Sequence, residues 1–400
     1  MTSNALWSPF DESNIADPYS MYARLRGEGP VFLAQTGEYI VASYDGVKTA
    51  LRSSDFRSGN RLEWLERGVN YFRNHDEDLG NIYKAINSFL LFLNGTEHIA
   101  MRQLVMKTWN DREVHDIIVS TADDLLRNLH GTFDIIKDYA QEFPAIEISR
   151  IMGLPMDDYA FLRKTTVTMV RSLDLYHSLQ QLVELNEASG VFVKYFEQLV
   201  KDKRARPDGG LASKLVHAND KEKLLNDEQM ISLLLFLFIA GEETTTNSIG
   251  NAIYNLIRTN KYYPLRNNAS LMPSAVEELF RYDGPVHLLG RITKTDTVLD
   301  GYTIPANSSV TLLVASANRD PKRFSNPDSL DLDRNPNPHL AFGYGTHFCM
   351  GEWLGKLQTR VGIERFMNKF SSATLVEQKM SWYKNLSVRG RQSVIVNTTA

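Results

Sequence analysis

The stretch from Asn226 to about Asn260 constrains this chain more than any other. Asn226, followed three residues later by Gln229, has the form of a capping box, in which two side chains satisfy backbone amides at a helix start. Helical period then persists to about Asn260. At about 1.5 Å per residue, a helix of that length crosses a whole domain. Its first half is apolar enough to be buried all round. The apolar run Leu233 to Gly241 is about half of what a bilayer span needs and ends at Glu242-Glu243, so it reads as core. Then comes Ala240-Gly-Glu-Glu-Thr-Thr-Thr-Asn-Ser248. Consecutive polar residues cannot share one helix face, so they serve at least two sides. Gly241 and the β-branched threonines are poor helix formers, and threonine hydroxyls can bond back to carbonyls one turn earlier and bend a helix. Two readings stand at this point. The segment is a solvent-exposed mid-section, or it is a groove over a site with a carboxylate and hydroxyls placed for proton transfer.

The rest of the chain is mostly helix with small sheets at both ends. Short alternating runs such as Glu38-Tyr-Ile-Val-Ala-Ser suggest a sheet in the first sixty residues. From about Arg102 to Asn260 apolar residues recur three and four apart, as at Phe192, Phe196 and Leu199, with a loop at Arg206-Pro-Asp-Gly-Gly. Strand-like alternation returns from Thr295 to Leu313 around Leu299-Asp-Gly-Tyr. An ordered loop rich in Pro, Asp and Asn runs from Asn318 to His339. A final helix is expected over Gly351 to Phe370 and a strand over Ser393 to Asn397. The expected fold class is mainly α with small β-sheets, one domain over residues 1–400, with β-rich parts near 30–60 and 295–315 and helical parts near 97–285 and 350–370. The absence of βαβ alternation argues against a doubly wound fold.

Composition excludes several classes. With 43% hydrophobic and 23% charged residues over 400 positions, the chain has ample core material and is not disordered. A net charge of −4 gives no reason to expect nucleic acid or an anionic membrane as partner. The N-terminus has neither a basic region nor an apolar one, so the protein is expected to be soluble and cytoplasmic. One cysteine excludes an intramolecular disulfide and any multi-cysteine zinc or iron–sulfur site. If Cys349 does chemistry, it acts as a lone thiolate: a nucleophile, or the single protein ligand of a cofactor metal.

Cys349 lies in Phe342-Gly-Tyr-Gly-Thr-His-Phe-Cys349-Met-Gly351, where three glycines permit a tight loop with inward-facing amides. The helix expected right after it favours thiolate over thiol. As a nucleophile, Cys349 has only His347 nearby as base, and no third group orients it. As a ligand, it sits where loop amides can tune an anionic sulfur.

This segment resembles the cysteine-ligand loop of the cytochrome P450, or haem-thiolate monooxygenase, family, with its pattern Phe-x-x-Gly-x-x-x-Cys-x-Gly. Ala240-Gly-x-Glu243-Thr244 is similar to the oxygen-activation segment of that family's long central helix, and Glu278-Leu-Phe-Arg281 to its Glu-x-x-Arg helix. Ser316-Ala-Asn-Arg-Asp-Pro321 and Leu332-Asp-Arg-Asn-Pro-Asn-Pro-His-Leu-Ala-Phe342 resemble the soluble bacterial branch, in order and spacing over roughly Glu97 to Gly390. The resemblance implies a single-domain P450 fold with its long helix over a haem b whose iron is bound by Cys349. It implies His98, Arg102, Arg291 and His347 as partners of the haem propionates, with Ala240 beside the cofactor. Charge-assisted bonds to buried carboxylates explain arginine at such places. Glu278, Arg281 and Arg334 are implied to form a buried network holding the loop, as folding residues.

Glu243 and Thr244 are implied as the acid–alcohol pair that delivers protons during dioxygen activation. Having both points to an electron-fed hydroxylase acting on a small or medium organic substrate, possible in secondary metabolism. The alternatives are an oxidative cross-linking or peroxide-dependent haem-thiolate enzyme, a cysteine-nucleophile hydrolase and a non-catalytic haem protein. The resemblance also implies a separate ferredoxin- or flavodoxin-type donor with its reductase, docking where Lys107, Arg112 and Lys356 supply cations. The sequence departs from the pattern at Asn94-Gly-Thr-Glu before His98 and at Glu352-Trp353-Leu354-Gly355-Lys356 after the cysteine. Substrate-determining segments are expected near Arg57 to Leu93, Val167 to Leu185, Val286 to Leu289 and Ser381 to Leu386. The aromatics of the first (Trp64, Tyr71, Phe72, Tyr83, Phe89 and Phe92) are read mostly as core.

Overall fold

The structure, a computed structural model, describes residues 7–58, 79–109, 111–174, 177–378 and 380–399, without the side chains of 111–113. Trp64, Tyr71 and Phe72 lie outside the described residues, as does the side chain of Arg112. The chain divides into two compact units. One draws on Met1–Arg57, Ala122–Phe143 and Thr244–Ala400, the other on Ser58–Thr121 and Pro144–Glu243. The Asp227–Arg258 helix contributes to both.

Every described strand lies in the first unit. A five-stranded sheet has the order β1 (Val31–Leu33), β2 (Tyr39–Val41), β8 (Ser309–Leu313), β5 (Leu288–Thr293), β3 (Phe56–Arg57). Its pairs are antiparallel except β2 with β8, where Tyr39 faces Val310 in parallel register. One face carries the core residues Val41, Val47, Val310, Leu312 and Phe324. Between β5 and β8, the hairpin β6 (Thr297–Leu299) and β7 (Tyr302–Ile304) turns at Asp300 and Gly301, with φ of 49° and 82°. Both positive angles suit the two-residue turn that the Leu299-Asp-Gly-Tyr pattern predicts.

A second sheet corrects the sequence reading. β4 (Gly131–Asp134) stands inside the 97–285 span expected to be helical. It pairs antiparallel with β10 (Ile395–Thr399), which also pairs with β9 (Ser372–Leu375). A strand this short has no period of its own and forms only because a partner from the far end of the chain satisfies its amides. β10 also lies two residues beyond the expected Ser393 to Asn397.

The second unit is helical. Phe192, on the Leu179–Ala205 helix, packs edge to face on Phe238 and on Phe196, whose own ring is tilted against Phe238. Phe89 and Phe92 are buried there, Phe89 with its ring 5.2 Å from that of Phe236. The Gly153 and Gly210 backbones touch so closely that a Cβ on Gly210 would sit 2.6 Å from the Cα of Gly153. That contact fixes the Arg206-Pro-Asp-Gly-Gly loop. Among the described residues, no helix is long and apolar enough to cross a membrane.

In the first unit a buried polar cluster joins the Pro18–Glu28 helix to β5. His287 lies beside the hydroxyls of Tyr22 and Tyr19, and Tyr19 donates to Asp283 at 2.8 Å. Burial first, then the charge of Arg389, lowers the His287 pKa to about 3, against a smaller opposing pull from Asp283. A neutral folded-state histidine means the unfolded chain binds one more proton below its ordinary value near 6.5. Stability from this site is therefore full above that value and declines as pH falls toward 3. Relative to wild type, His287→Asn should lose about 2 kcal/mol less unfolding free energy between pH 8 and pH 5. Urea titrations at the two pH values measure the difference, and Asp283, whose pKa is lowered far below this range, adds no slope there.

Candidate functional site

Cys349 is exposed on a loop whose shape is set by glycine and by one backbone bond. Gly343 and Gly345 both have φ of +75°, a region that side chains with a Cβ avoid. A Cβ on Gly345 would also lie 2.7 Å from the Leu51 carbonyl oxygen. The Cys349 amide donates to the Phe342 carbonyl at 3.0 Å, and the Phe348 amide to Gly345 at the same distance. His347 ends the short 3-10 turn Gly345–His347 and is half-buried. The following helix is Glu352–Lys369, capped at Gly351, so it starts three residues past the cysteine instead of directly after it.

The loop is anchored from the Met272–Asp283 helix. Glu278 is fully buried and accepts both Arg281 Nε and Nη2 at 2.7 Å, a bidentate pair, and Arg334 Nε at 3.0 Å. Asn337 and the Asp331 amide complete its acceptor capacity. Arg281 also donates to the carbonyls of Asn318, Pro327 and Ser329, and Arg334 to that of Ser325. One carboxylate thereby fixes the irregular segment that leads into Phe342. The Phe342 ring lies tilted against Phe280 of that helix, with the ring centres 4.6 Å apart.

Arg291, on β5, is only 4% exposed, and its guanidinium donates to the Gly290 carbonyl at 2.8 Å. Among the described residues it makes no ion pair. Burial alone lowers its pKa to about 10, the signature of a cation lacking a counter-charge. In the second unit, His98 and Arg102 stand one turn apart on the Gly95–Thr108 helix. His98 is buried, and its pKa is lowered by that burial and then by the Arg102 charge.

The Asp227–Arg258 helix begins with the expected capping box: Gln229 N–H to Asn226 Oδ1 at 2.9 Å and Asn226 N–H to Gln229 Oε1 at 3.0 Å. Its polar run is not solvent-exposed. Glu242, Thr245, Thr246, Asn247 and Ser248 are buried, and Ala240, Glu243 and Thr244 are half-buried. Gly241 packs closely on Ile148, where an added Cβ would meet Cδ1 at 3.0 Å and the isoleucine would have to shift. Ser248 bonds back to the Thr244 carbonyl at 2.8 Å, and the Thr245 hydroxyl donates to Gln358 Oε1 at 3.2 Å. Gln358 was not legible as a site residue, although it is polar at a core position of its helix, between Leu354 and Val361.

Two expected docking cations are already engaged. Lys356 is held between Glu277 at 2.7 Å and Glu352 at 2.5 Å, with its ammonium 5.2 Å from the Phe342 ring centre. Lys107 is well exposed but pairs with Glu222 at 3.3 Å.

The sequence profile of the family described as Cytochrome P450 matches residues 40–395. A biotin biosynthesis cytochrome P450 of Bacillus subtilis (strain 168) is 31% identical over 373 residues, covering 91% of each chain. The cytochrome P450 monooxygenase PikC of Streptomyces venezuelae is 31% identical, over 95% of this chain and 90% of its own. Among solved structures, P450BioI in complex with a hexadec-9Z-enoic acid ligated acyl carrier protein superposes with a TM-score of 0.89 at 26% identity, over 97% of this chain and 100% of that one. The tirandamycin C-bound monooxygenase TamI gives 0.85 at 28%, over 97% and 99%. The chain belongs to the cytochrome P450 family, with the P450 fold and a monooxygenase's class of chemistry.

The family implies a haem with a cysteine thiolate ligand, and the residues present fit one. In the first unit these are the exposed thiol of Cys349 on its glycine-shaped loop and the buried Arg291 guanidinium, which makes no ion pair among the described residues. The Glu278 carboxylate is what keeps that loop in place. Glu278→Gln should lower unfolding free energy by about 3–5 kcal/mol, because two buried guanidinium groups lose their counter-charge. Urea denaturation followed by circular dichroism measures it.

Proposed function

We propose that this protein binds haem b through the Cys349 thiolate and hydroxylates an apolar organic substrate, drawing electrons from a separate ferredoxin- or flavodoxin-type protein. When bound, the haem supplies the redox chemistry that activates dioxygen and inserts one oxygen atom into a C–H bond. The observation that carries this reading is the Cys349 loop: the chain's single cysteine, exposed, on a backbone that only glycine at 343 and 345 accommodates without strain.

The chain's own residues divide the work. Arg291 and His347, with His98 and Arg102, would hold the two propionates by charge-assisted bonds, and Ala240 would leave room beside the ring. Cys349 would be kept anionic by the loop's amides and by the start of the Glu352–Lys369 helix. The Thr244 hydroxyl would donate a hydrogen bond at the place where oxygen is reduced, and the Glu243 carboxylate would pass it protons through water. Glu278, Arg281 and Arg334 touch no reactant in this scheme and act through the loop.

The substrate we propose is an acyl- or polyketide-type biosynthetic intermediate. Support comes from the relatives, one named for biotin biosynthesis and another, at 29% identity, for polyketide biosynthesis in Bacillus subtilis. An electron donor would find few unpaired cations at Lys356, so its docking draws less on charge than the sequence alone implies.

Two measurements test the function. The reduced carbonyl adduct of the purified protein should show the strongly red-shifted Soret band of sulfur ligation, and Cys349→Ser should abolish it. An imidazole-type spectrum from folded wild type sinks the proposal. In a reconstituted system, Thr244→Ala should keep that band while diverting several-fold more NAD(P)H equivalents into hydrogen peroxide. Unchanged coupling would remove Thr244 from proton delivery.

A further inference from the structure

The Glu352–Lys369 helix, which follows Cys349, touches the central helix at two successive steps within the first unit. Gln358 accepts from Thr245, and four residues on, Gly362 meets Ile249, itself four residues past Thr245. A Cβ on Gly362 would lie 3.2 Å from Ile249 Cδ1 and 3.3 Å from Phe143 Cε1, so a larger residue there would need those side chains to give way. The Gly362 carbonyl also accepts from the Tyr139 hydroxyl at 2.9 Å. The apolar step fixes separation. The polar step fixes rotation, because a hydrogen bond is directional and a methyl contact is not.

Gln358 is 1% exposed and shares its helix stripe with buried Leu354, Val361 and Gly362. Stranding a buried amide costs about 1–3 kcal/mol, whereas an apolar residue would fit that stripe without the risk. An amide also cannot ionise, so Gln358 is no proton carrier. What it does is hold the Thr245 hydroxyl, one residue beyond Thr244. A rotation of the helix by ~20° would move a hydroxyl ~4 Å off the axis by more than ~1 Å, which is enough to misplace a reacting group.

We propose that Gln358 is a positioning residue for oxygen activation: through Thr245 it fixes the rotation of the central helix and so the aim of the Thr244 hydroxyl. This rests on the monooxygenase function proposed above. It ties the helix behind the cysteine to the helix that carries Thr244 by a side-chain bond within one unit.

Three variants test it. Gln358→Met keeps the shape and loses the acceptor, Thr245→Val keeps the shape and loses the donor, and Thr245→Ser keeps the donor. Gln358→Met and Thr245→Val should each retain haem and the red-shifted carbonyl band while releasing several-fold more peroxide per NAD(P)H consumed. The double variant should be no worse than either single one, because both break the same bond. Thr245→Ser should couple better than Thr245→Val. Amide hydrogen exchange over residues 242–248 should rise in the Met and Val variants, a readout independent of turnover. A lowered melting temperature with wild-type coupling and exchange in both would overturn the proposal and leave Gln358 as packing. Should Gln358→Met fail to fold, the Thr245 pair decides alone. Absence of the carbonyl band in wild type would instead overturn the function itself.

Discussion

A carboxylate buried from solvent, Glu278, holds two guanidinium groups, and the path of the chain toward Cys349 depends on it. The segment from Asn318 to His339 has almost no regular structure, so its carbonyls have no ladder or helix to satisfy them. Arg281 and Arg334 take up five of these carbonyls, and both arginines are held in place by the same acid. A buried salt bridge is weak evidence for stability, since apolar replacements are often as good. Its value here is geometric. Planar arginine forks impose directions on a loop that apolar packing would leave adaptable.

The same logic runs through the central helix. Three of its buried polar residues serve as fixed points: Thr245 on Gln358, Asn251 on the Asp283 carbonyl, Asn255 on the Asp283 side chain. Arg391 closes the set by pairing with Asp283 and lying over the rings of Tyr254 and Trp382. A helix packed by leucines alone could slide or turn at little expense. One pinned at three polar points along its second half has a single register, and that is the half that begins at Thr244.

Much of this was legible in the sequence because it is local. The capping box at Asn226, the Asp300-Gly301 hairpin, the loop after Ala205 and the Glu278–Arg281 spacing each declare themselves within a few residues. The polar run of the central helix was legible only as a choice, which burial resolves in favour of an interior role. What stayed hidden depends on partners far along the chain. β4 needs β10, His287 needs Tyr19 and Tyr22, and the neutralisation of Lys356 needs Glu277. Gln358 left one trace, an amide on an apolar stripe, but its meaning lies in Thr245. Side-chain period reveals which face is buried, never which distant residue awaits there.

The pairing of β4 with β10 also sets an order of events during synthesis. Asp134 leaves the ribosome about 260 residues (395 − 134) before its opposite number, Ile395. β2 likewise waits for β8, with Tyr39 facing Val310. At about 5–20 residues per second, β4 and the β8 edge of β2 stay unmatched for tens of seconds, with backbone groups open to the wrong neighbour. The helices of the second unit rely on contacts within Ser58–Thr121 and Pro144–Glu243 and can settle while the tail is still being made. A nascent chain of this kind is thus helical before this sheet closes, and a chain cut before Ile395 would leave β4 and β9 without the strand that joins them.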